Sequence, residues 1–145
     1  MTVMYPYLPK GRGIAPYLHV PMMNTYMGRA RSFAQKCRGN SAAVVVKTHN
    51  IIGLGSIGNL SARLAAEDPR NHSARQAVFN ALRDGYVTFG ADVYVWGDWW
   101  LCEDCWKAMN EAGIRHVYLL DGSERLFNKS HPDNIIGRQF DPPLS

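Results

Sequence analysis

Three side chains in this sequence have the type and spacing to hold a metal ion. His72 sits in the run Asn71-His72-Ser73-Ala74-Arg75-Gln76-Ala77-Val78, and the turn Leu101-Cys102-Glu103-Asp104-Cys105 follows further along the chain. One imidazole and two thiolates make three ligands for a tetrahedral ion and leave a fourth position for water. Soft sulfur with one nitrogen donor favours zinc over the hard cations. His19, His49, His116 and His131 lack such neighbours and read as structural or surface residues.

The elements that must position these ligands can be read from the pattern of apolar residues. Asn24 or Thr25 caps a helix running to about Cys37, with Tyr26, Met27, Ala30, Phe33 and Ala34 on one side. Ala42 to Lys47 and Ile51 to Gly55 read as a hairpin of two buried strands around Thr48-His49-Asn50. Ser56 to Asn71 reads as a polar loop. Arg75 to Leu82 is an amphipathic helix stopped by Asp84-Gly85. Val93 to Trp96 is a third strand, Glu103 to Ala112 a helix ended by Gly113, and Arg115 to Leu120 a fourth strand. A strand, a helix and a parallel strand in series need a right-handed crossover, which sets both metal motifs at the starts of adjacent helices. Helix N-termini carry partial positive charge, which stabilises thiolates.

Residues 1–23 carry Pro6, Pro9, Pro16 and Pro21 among Tyr5, Tyr7 and Tyr17, a density that opposes helix and central strand. They read as an extended arm packing its aromatics on the body or on a neighbouring subunit. Residues 121–145 read as a tail with a short helix from Glu124 to Asn128.

A length of 145 residues and 46% hydrophobic content suit one domain, 1–145, with a real core. No apolar run is long enough to span a bilayer, and no secretory signal is apparent, so a cytoplasmic location is expected. Three cysteines make no disulfide framework and suit a reducing compartment. Cys37, outside the metal motif, reads as a small buried side chain. The net charge of +4 permits a phosphate-bearing substrate or a nucleic acid without demanding either. The charges are scattered, with Arg29, Arg31, Lys36 and Arg38 the densest group.

With these residues in view, the chain resembles the cytidine and deoxycytidylate deaminase superfamily, whose pattern is H-x-E followed by P-C-x-x-C. The deoxycytidylate branch tends to read H-A-E-R-N-A-I, then Y-V-x-x-x-P-C-x-D-C-A, then A-G-I-x-x-V. This chain gives His72-Ser73-Ala74-Arg75-Gln76-Ala77-Val78, then Tyr94-Val95, then Cys102-Glu103-Asp104-Cys105-Trp106, then Ala112-Gly113-Ile114-Arg115-His116-Val117. Ala42 to Val46 and Ile51 to Gly58 resemble the branch's opening hairpin. The similarity spans roughly residues 24 to 120. Four departures stand out. Ala74 replaces the glutamate, and Leu101 the proline before the first cysteine. Trp96-Gly97-Asp98-Trp99-Trp100 makes the link to the cysteines longer by about two residues. The asparagine of G-Y-N-G falls on Ile57, with Asn59 two residues on.

The resemblance implies a three-layer α/β/α cytidine-deaminase-like fold with a mixed central sheet flanked by helices. It implies Zn2+ on His72, Cys102 and Cys105, and hydrolytic removal of an amino group from a free pyrimidine nucleotide, deoxycytidylate (dCMP) to deoxyuridylate (dUMP). The family's glutamate is not a ligand and carries protons. With Ala74 at its position, metal and ligand binding are expected to persist with little turnover. Three readings of Ala74 stay open: a deliberate substitution, which the retained ligands and Arg75 favour; a natural pseudoenzyme; and a carboxylate supplied from elsewhere, such as Glu103 or Asp98. Ser41, Asn59 and Arg63 are candidates for sugar or phosphate contacts, with Arg29, Arg31 and Arg38 behind them. Trp100 and Leu101, before the metal turn, are further substrate-binding candidates. Trp96, Trp99 and Trp100 read as packing residues, one of which could stack on a base. The family implies a homo-oligomer, often a hexamer, and a nucleotide effector. A nucleic-acid-editing deaminase and a zinc-containing nucleotide-binding module without catalysis are the alternatives.

Overall fold

The structure is a computed structural model, and it describes residues 17–58, 72–128 and 130–135. Five strands form one sheet: β1 (Leu18–Val20), β2 (Gly39–Lys47), β3 (Asn50–Gly58), β4 (Asp92–Trp96) and β5 (His116–Leu120). Four helices flank it: α1 (Thr25–Cys37), α2 (Ser73–Arg83), α3 (Glu103–Glu111) and α4 (Ser123–Phe127). The strand order is β1-β5-β4-β2-β3. β2 runs antiparallel to both β3 and β4, while β4, β5 and β1 run parallel to one another.

The mixed sheet has a layer of helices on each face, which is the α/β architecture expected from the sequence. Alternation along the central strands assigns the faces. Ala43, Val45, Val93, Val95, Val117 and Leu119 pack under α2 and α3, with Ala77, Val78, Trp106 and Met109 above them. Ala42, Val44, Val46, Tyr94, Trp96 and Leu120 face the other way, onto Met27, Ala30 and Ala34 of α1 and Phe127 of α4. β2 is buried on both faces, so it reads as a continuous apolar run.

The α1 cap is as expected: the Asn24 side chain accepts from the backbone N–H groups of Tyr26 and Met27, both at 3.0 Å. The helix ends at Arg38, whose φ of 54° is left-handed. Cys37 is the last residue of the helix and is exposed, which corrects the expectation that it is buried. It shares the helical spacing of Met27, Ala30 and Ala34, but its place as the last residue of the helix leaves it exposed.

Two further expectations are revised. Ser56 to Gly58 continue β3 instead of opening a loop, because Ser56 and Ile57 pair with Ala42 and Ser41. The part of the proline-rich arm that is described contributes a strand: Leu18, His19 and Val20 pair in parallel with Tyr118, Leu119 and Leu120. Pro21 follows it, as prolines do at a sheet edge. The rest of the arm, residues 1–16, lies outside the described residues, as do residues 59–71 and 136–145. Among the described residues no helix is long and apolar enough to cross a membrane.

The seat of α2 is set by glycine. A Cβ on Gly53 would lie 2.2 Å from the Ala77 carbonyl oxygen, and one on Gly55 would lie 2.4 Å from that of Ser73. Only glycine lets the helix backbone rest on the strand at this range. The Gln76 side chain accepts from the Ser56 N–H at 2.7 Å, and the Asn80 amide donates to the Leu54 carbonyl at 2.8 Å. These bonds lock the helix along the sheet edge and fix where its first residue, beside His72, must lie.

Candidate metal centre

His72 is the N-cap of α2, and Cys102 is the N-cap of α3. Both have extended backbone, and each carbonyl accepts the first bond of its helix, His72 from Gln76 at 2.8 Å and Cys102 from Trp106 at 3.0 Å. Cys105 lies one turn into α3, 3% exposed. The spacing of the cysteines therefore brings both sulfurs to one helix start, and the packing of α2 beside α3 brings the imidazole to them. His72 Nδ1 is 3.3 Å from Cys102 Sγ and 3.4 Å from Cys105 Sγ. The three ligand atoms lie within 4.8 Å of one another.

The donor set fits zinc. Bonds of about 2.0–2.1 Å to nitrogen and about 2.3 Å to sulfur place tetrahedral apices about 3.6 Å apart. The observed N–S separations fall a few tenths of an ångström inside that. Three ligands leave the fourth position to water or substrate.

The two thiols are electrically unequal. The Cys102 thiol is brought down to about 4, first by a hydrogen bond from the Cys105 side chain, then by His72 and the Cys105 backbone, against the opposing effect of burial. Cys105 is pushed strongly up, first by that same bond to Cys102, then by burial and by the charges of Cys102 and Asp98; Arg75 opposes this. At neutral pH the pair therefore shares one proton. Metal binding requires both thiolates and releases protons. The thiol pair is expected to give up one proton per zinc at pH 8, where two ordinary thiols would each still lose most of one. Calorimetry of zinc binding in buffers of different ionisation enthalpy measures this. A contribution of about 1.5 or more, the sum for two ordinary thiols of pKa about 8.5, would show that the sulfurs do not share a proton.

A second cluster adjoins the ligands. Ser73, 1% exposed, follows His72, and its Oγ is 2.6 Å from Oγ of Ser41, itself 4% exposed on β2. The Ser41 carbonyl accepts from the Ser56 hydroxyl at 2.8 Å. Ala74 comes next on α2 and is 3% exposed. Beyond β4 the chain turns at Gly97 (φ 103°), where a Cβ would lie 2.4 Å from the Asn40 carbonyl and 2.7 Å from the Ser41 Cα. Asp98, half-buried, follows this close approach. Burial pushes the Asp98 carboxyl up to about 6, helped by the charge of Cys102 and opposed by His72 and Ser41.

The structure thus brings His72, Cys102 and Cys105 together, with Ala74 and Ser41 beside them. Trp100 is half-buried and Leu101 buried in the link before Cys102. Trp99 and Trp100 meet edge to face at 6.2 Å, and Trp96 is in the core on the α1 side. The Leu101 N–H donates to the Tyr17 hydroxyl, and the Tyr17 ring packs on Trp106 at 5.1 Å. Asn59 and Arg63 lie outside the described residues, as does the side chain of Glu103. Sequence reasoning did not find Ser73 or the bond from Leu101 to Tyr17, though it expected the aromatics of the arm to pack on the body or a neighbour, as the Tyr17 ring does on Trp106. The only signal for Ser73 was its place next to a ligand.

Comparison with known proteins decides the family. Residues 20–121 match the family described as the cytidine and deoxycytidylate deaminase zinc-binding region. The chain belongs to this family. No curated protein matches its sequence. Guanine deaminase from Bacillus subtilis shares the fold at a TM-score of 0.53, with 22% identity over 84% of this chain and 78% of that one. The dCMP deaminase of cyanophage S-TIM5 gives a TM-score of 0.49 and 23% identity over 68% of this chain and 82% of its own. A Thermotoga maritima diaminohydroxyphosphoribosylaminopyrimidine deaminase/5-amino-6-(5-phosphoribosylamino)uracil reductase gives 0.48 and 26% over 66% of this chain. The chain spans 28% of that longer protein. In this deaminase domain, His72, Cys102 and Cys105 form a site with the geometry and chemistry for zinc.

Proposed function

We propose that the protein deaminates a free pyrimidine nucleotide, dCMP giving dUMP, with zinc on His72, Cys102 and Cys105, and that Ala74 slows the reaction. The observation that carries this reading is the convergence of one imidazole and two thiols, within 4.8 Å, on the starts of two adjacent helices. The motif similarity to the dCMP branch, Arg75 to Val78 and Ala112 to Ile114 included, supports the choice of nucleotide.

Zinc in such a site supplies a Lewis acid that lowers the pKa of a water to about 7. The chain's own contributions follow from its geometry. The α2 and α3 starts hold partial positive charge where negative charge develops at the attacked carbon. Trp100 offers a ring face for the base, and base–aromatic stacking contributes about 1–3 kcal/mol. Leu101 walls the link, and Ser41, Asn59 and Arg63 are the proposed contacts to sugar or phosphate. The groove along α2 and α3 carries Phe79, Leu82, Tyr86, Val87 and Phe89, all at least 46% exposed. Such a face supports the homo-oligomer reading, with the hexamer and the nucleotide effector proposed from the family resemblance alone, and a monomeric mass in solution would remove it.

The test is one panel. Protein with verified zinc, in its present form and as Ala74→Glu, is assayed for ammonia from dCMP, cytidine, adenine nucleotides, guanine and a cytosine-containing oligonucleotide. Release from dCMP alone or first is expected. Release only from nucleosides overturns the monophosphate reading, and release only from the oligonucleotide moves the protein to nucleic-acid editing. No ammonia from any of them, even with Glu at position 74, leaves a zinc-containing binding module.

A further inference from the structure

We propose that two copies of this chain associate through the α2–α3 groove, with Phe89 of each seated in the groove of the other and Arg75 of each facing Glu111 of the partner subunit. The inference deepens the homo-oligomer part of the reading above and is independent of the substrate.

The exposed apolar face is held in place from behind. α2 turns Ala77 and Ala81 to the sheet and leaves Phe79 and Leu82 46% and 50% exposed. The connection that follows displays Tyr86, Val87 and Phe89 at 51%, 66% and 75%. It is bonded along its length to α2, to β2 and to the end of α3. The Tyr86 N–H donates to the Ala81 carbonyl at 3.0 Å, and the Lys47 ammonium to the Val87 carbonyl at 3.2 Å. The buried Thr88 hydroxyl donates to the Ala112 carbonyl at 2.8 Å, and the Gly90 N–H to the Gly113 carbonyl at 2.8 Å. The Phe89 ring lies over Gly113, where a Cβ would come within 2.7 Å of it. A loop without these bonds would fold its aromatics onto the body. This one holds them outward, and a large apolar cluster fixed in water marks a contact surface.

The size of the face suits a protein. The groove holds about 1110 Å³, above the roughly 300–1,000 Å³ of small-molecule sites. Its five exposed apolar side chains present roughly 500 Å² at about 100 Å² each, where a stable interface takes about 800 Å² per partner. The rim of Arg75, Ala108, Asn110 and Glu111 supplies the remainder.

The pattern within the face suits a second copy. A two-fold contact sets one patch on its own duplicate, so every feature must find its complement in that same patch. Here the knob and the hole are both present: Phe89 projects where α3 finishes, and the groove opens between the helices. Both signs of charge are present too. Arg75 lines the end nearest the metal ligands, and Glu111 lines the far end. Among the described residues neither has an ion pair. α2 and α3 both start at the metal centre, so a two-fold axis across the groove lays the far end of one copy on the near end of the other. Phe89 then reaches Val78 and Phe79 of the partner subunit, Glu111 reaches Arg75 of the partner subunit, and each contact occurs twice. The near end of the groove, three residues from His72, is then covered by the second copy.

The test uses five full-length zinc-loaded proteins: the parent, Phe89→Asp, Glu111→Arg, Arg75→Glu and Arg75→Glu/Glu111→Arg. Sedimentation equilibrium over a range of concentrations gives mass and Kd, and circular dichroism checks that each is folded. The parent is expected at the mass of two chains or an even multiple. Phe89→Asp loses the contact and halves that mass. Each single charge reversal weakens association by about tenfold or more, because two contacts per dimer turn from attraction to repulsion. The double reversal returns Kd to within a few-fold of the parent. A parent that is monomeric at its highest soluble concentration overturns both this inference and the homo-oligomer part of the reading, and assigns the face to another occupant, a segment of this chain or a different protein. The ammonia panel then judges the deaminase reading separately. An oligomer unchanged in Phe89→Asp and Glu111→Arg overturns this inference alone, by placing the interface elsewhere. A double reversal no tighter than the singles also overturns it, by removing the Arg75–Glu111 pairing. Should Arg75→Glu not fold, Phe89→Asp and Glu111→Arg, both at exposed positions, decide the outcome by themselves.

Discussion

Ala74→Glu is expected to raise kcat by about 10²- to 10⁴-fold, the usual worth of a positioned general acid–base. The assay is ammonia release at saturating nucleotide from protein with zinc content verified. Position 74 is the second residue of α2, directly after Ser73 and two from the ligand His72. A carboxylate there gains from the partial positive charge of the helix start. It pays for burial, since Ala74 is 3% exposed within the core cluster under α2 and α3. Desolvation raises a carboxyl's pKa, which brings it nearer to neutral and improves it as a proton carrier. An unchanged kcat, with zinc bound and the fold intact, would show that position 74 does not face the reacting atoms.

The ligands were legible in the sequence because their signal is local. Cys102 and Cys105 share one helical turn, and the caps and stops around them use residues whose conformational habits are strong, such as Asn24 and Gly113 with its φ of 74°. The unbroken apolar run of Ala42 to Val46 likewise announced a buried strand. What stayed hidden depended on partners far along the chain. β1 has three residues, and only its pairing with β5 makes it a strand. β3 runs three residues past its apolar stretch because β2 continues beside it. Cys37 followed its place at a helix end and not the general preference of cysteine for the interior. The Ser41–Ser73 bond joins residues 32 apart, and no spacing rule links them. The approach of Gly97 to Ser41 likewise comes from the strand register, which no local pattern announces.

Cys105→Ala is expected to abolish zinc binding and with it the metal-dependent part of the protein's stability. Cys105 is the most buried ligand, its sulfur is 3.4 Å from His72 Nδ1, and its loss leaves two of the three protein ligands. Stabilisation by a ligand that binds only the folded state is about 4.1 kcal/mol at a free concentration 1,000 times Kd. For a domain of this size each kcal/mol moves Tm by about 2–4 °C. Zinc at that excess should therefore raise the parent's Tm by roughly 8–16 °C, and the increment should vanish in Cys105→Ala. The metal-free variant should melt close to the metal-free parent, because the substitution removes one sulfur from a site whose two thiols otherwise contend for a proton. That pairing of outcomes separates loss of the ion from loss of the fold. Thermal melts with and without zinc, beside elemental analysis, measure both. A zinc increment that survives in Cys105→Ala would put the ion elsewhere, and the two helix starts would then lose their role as the reaction centre.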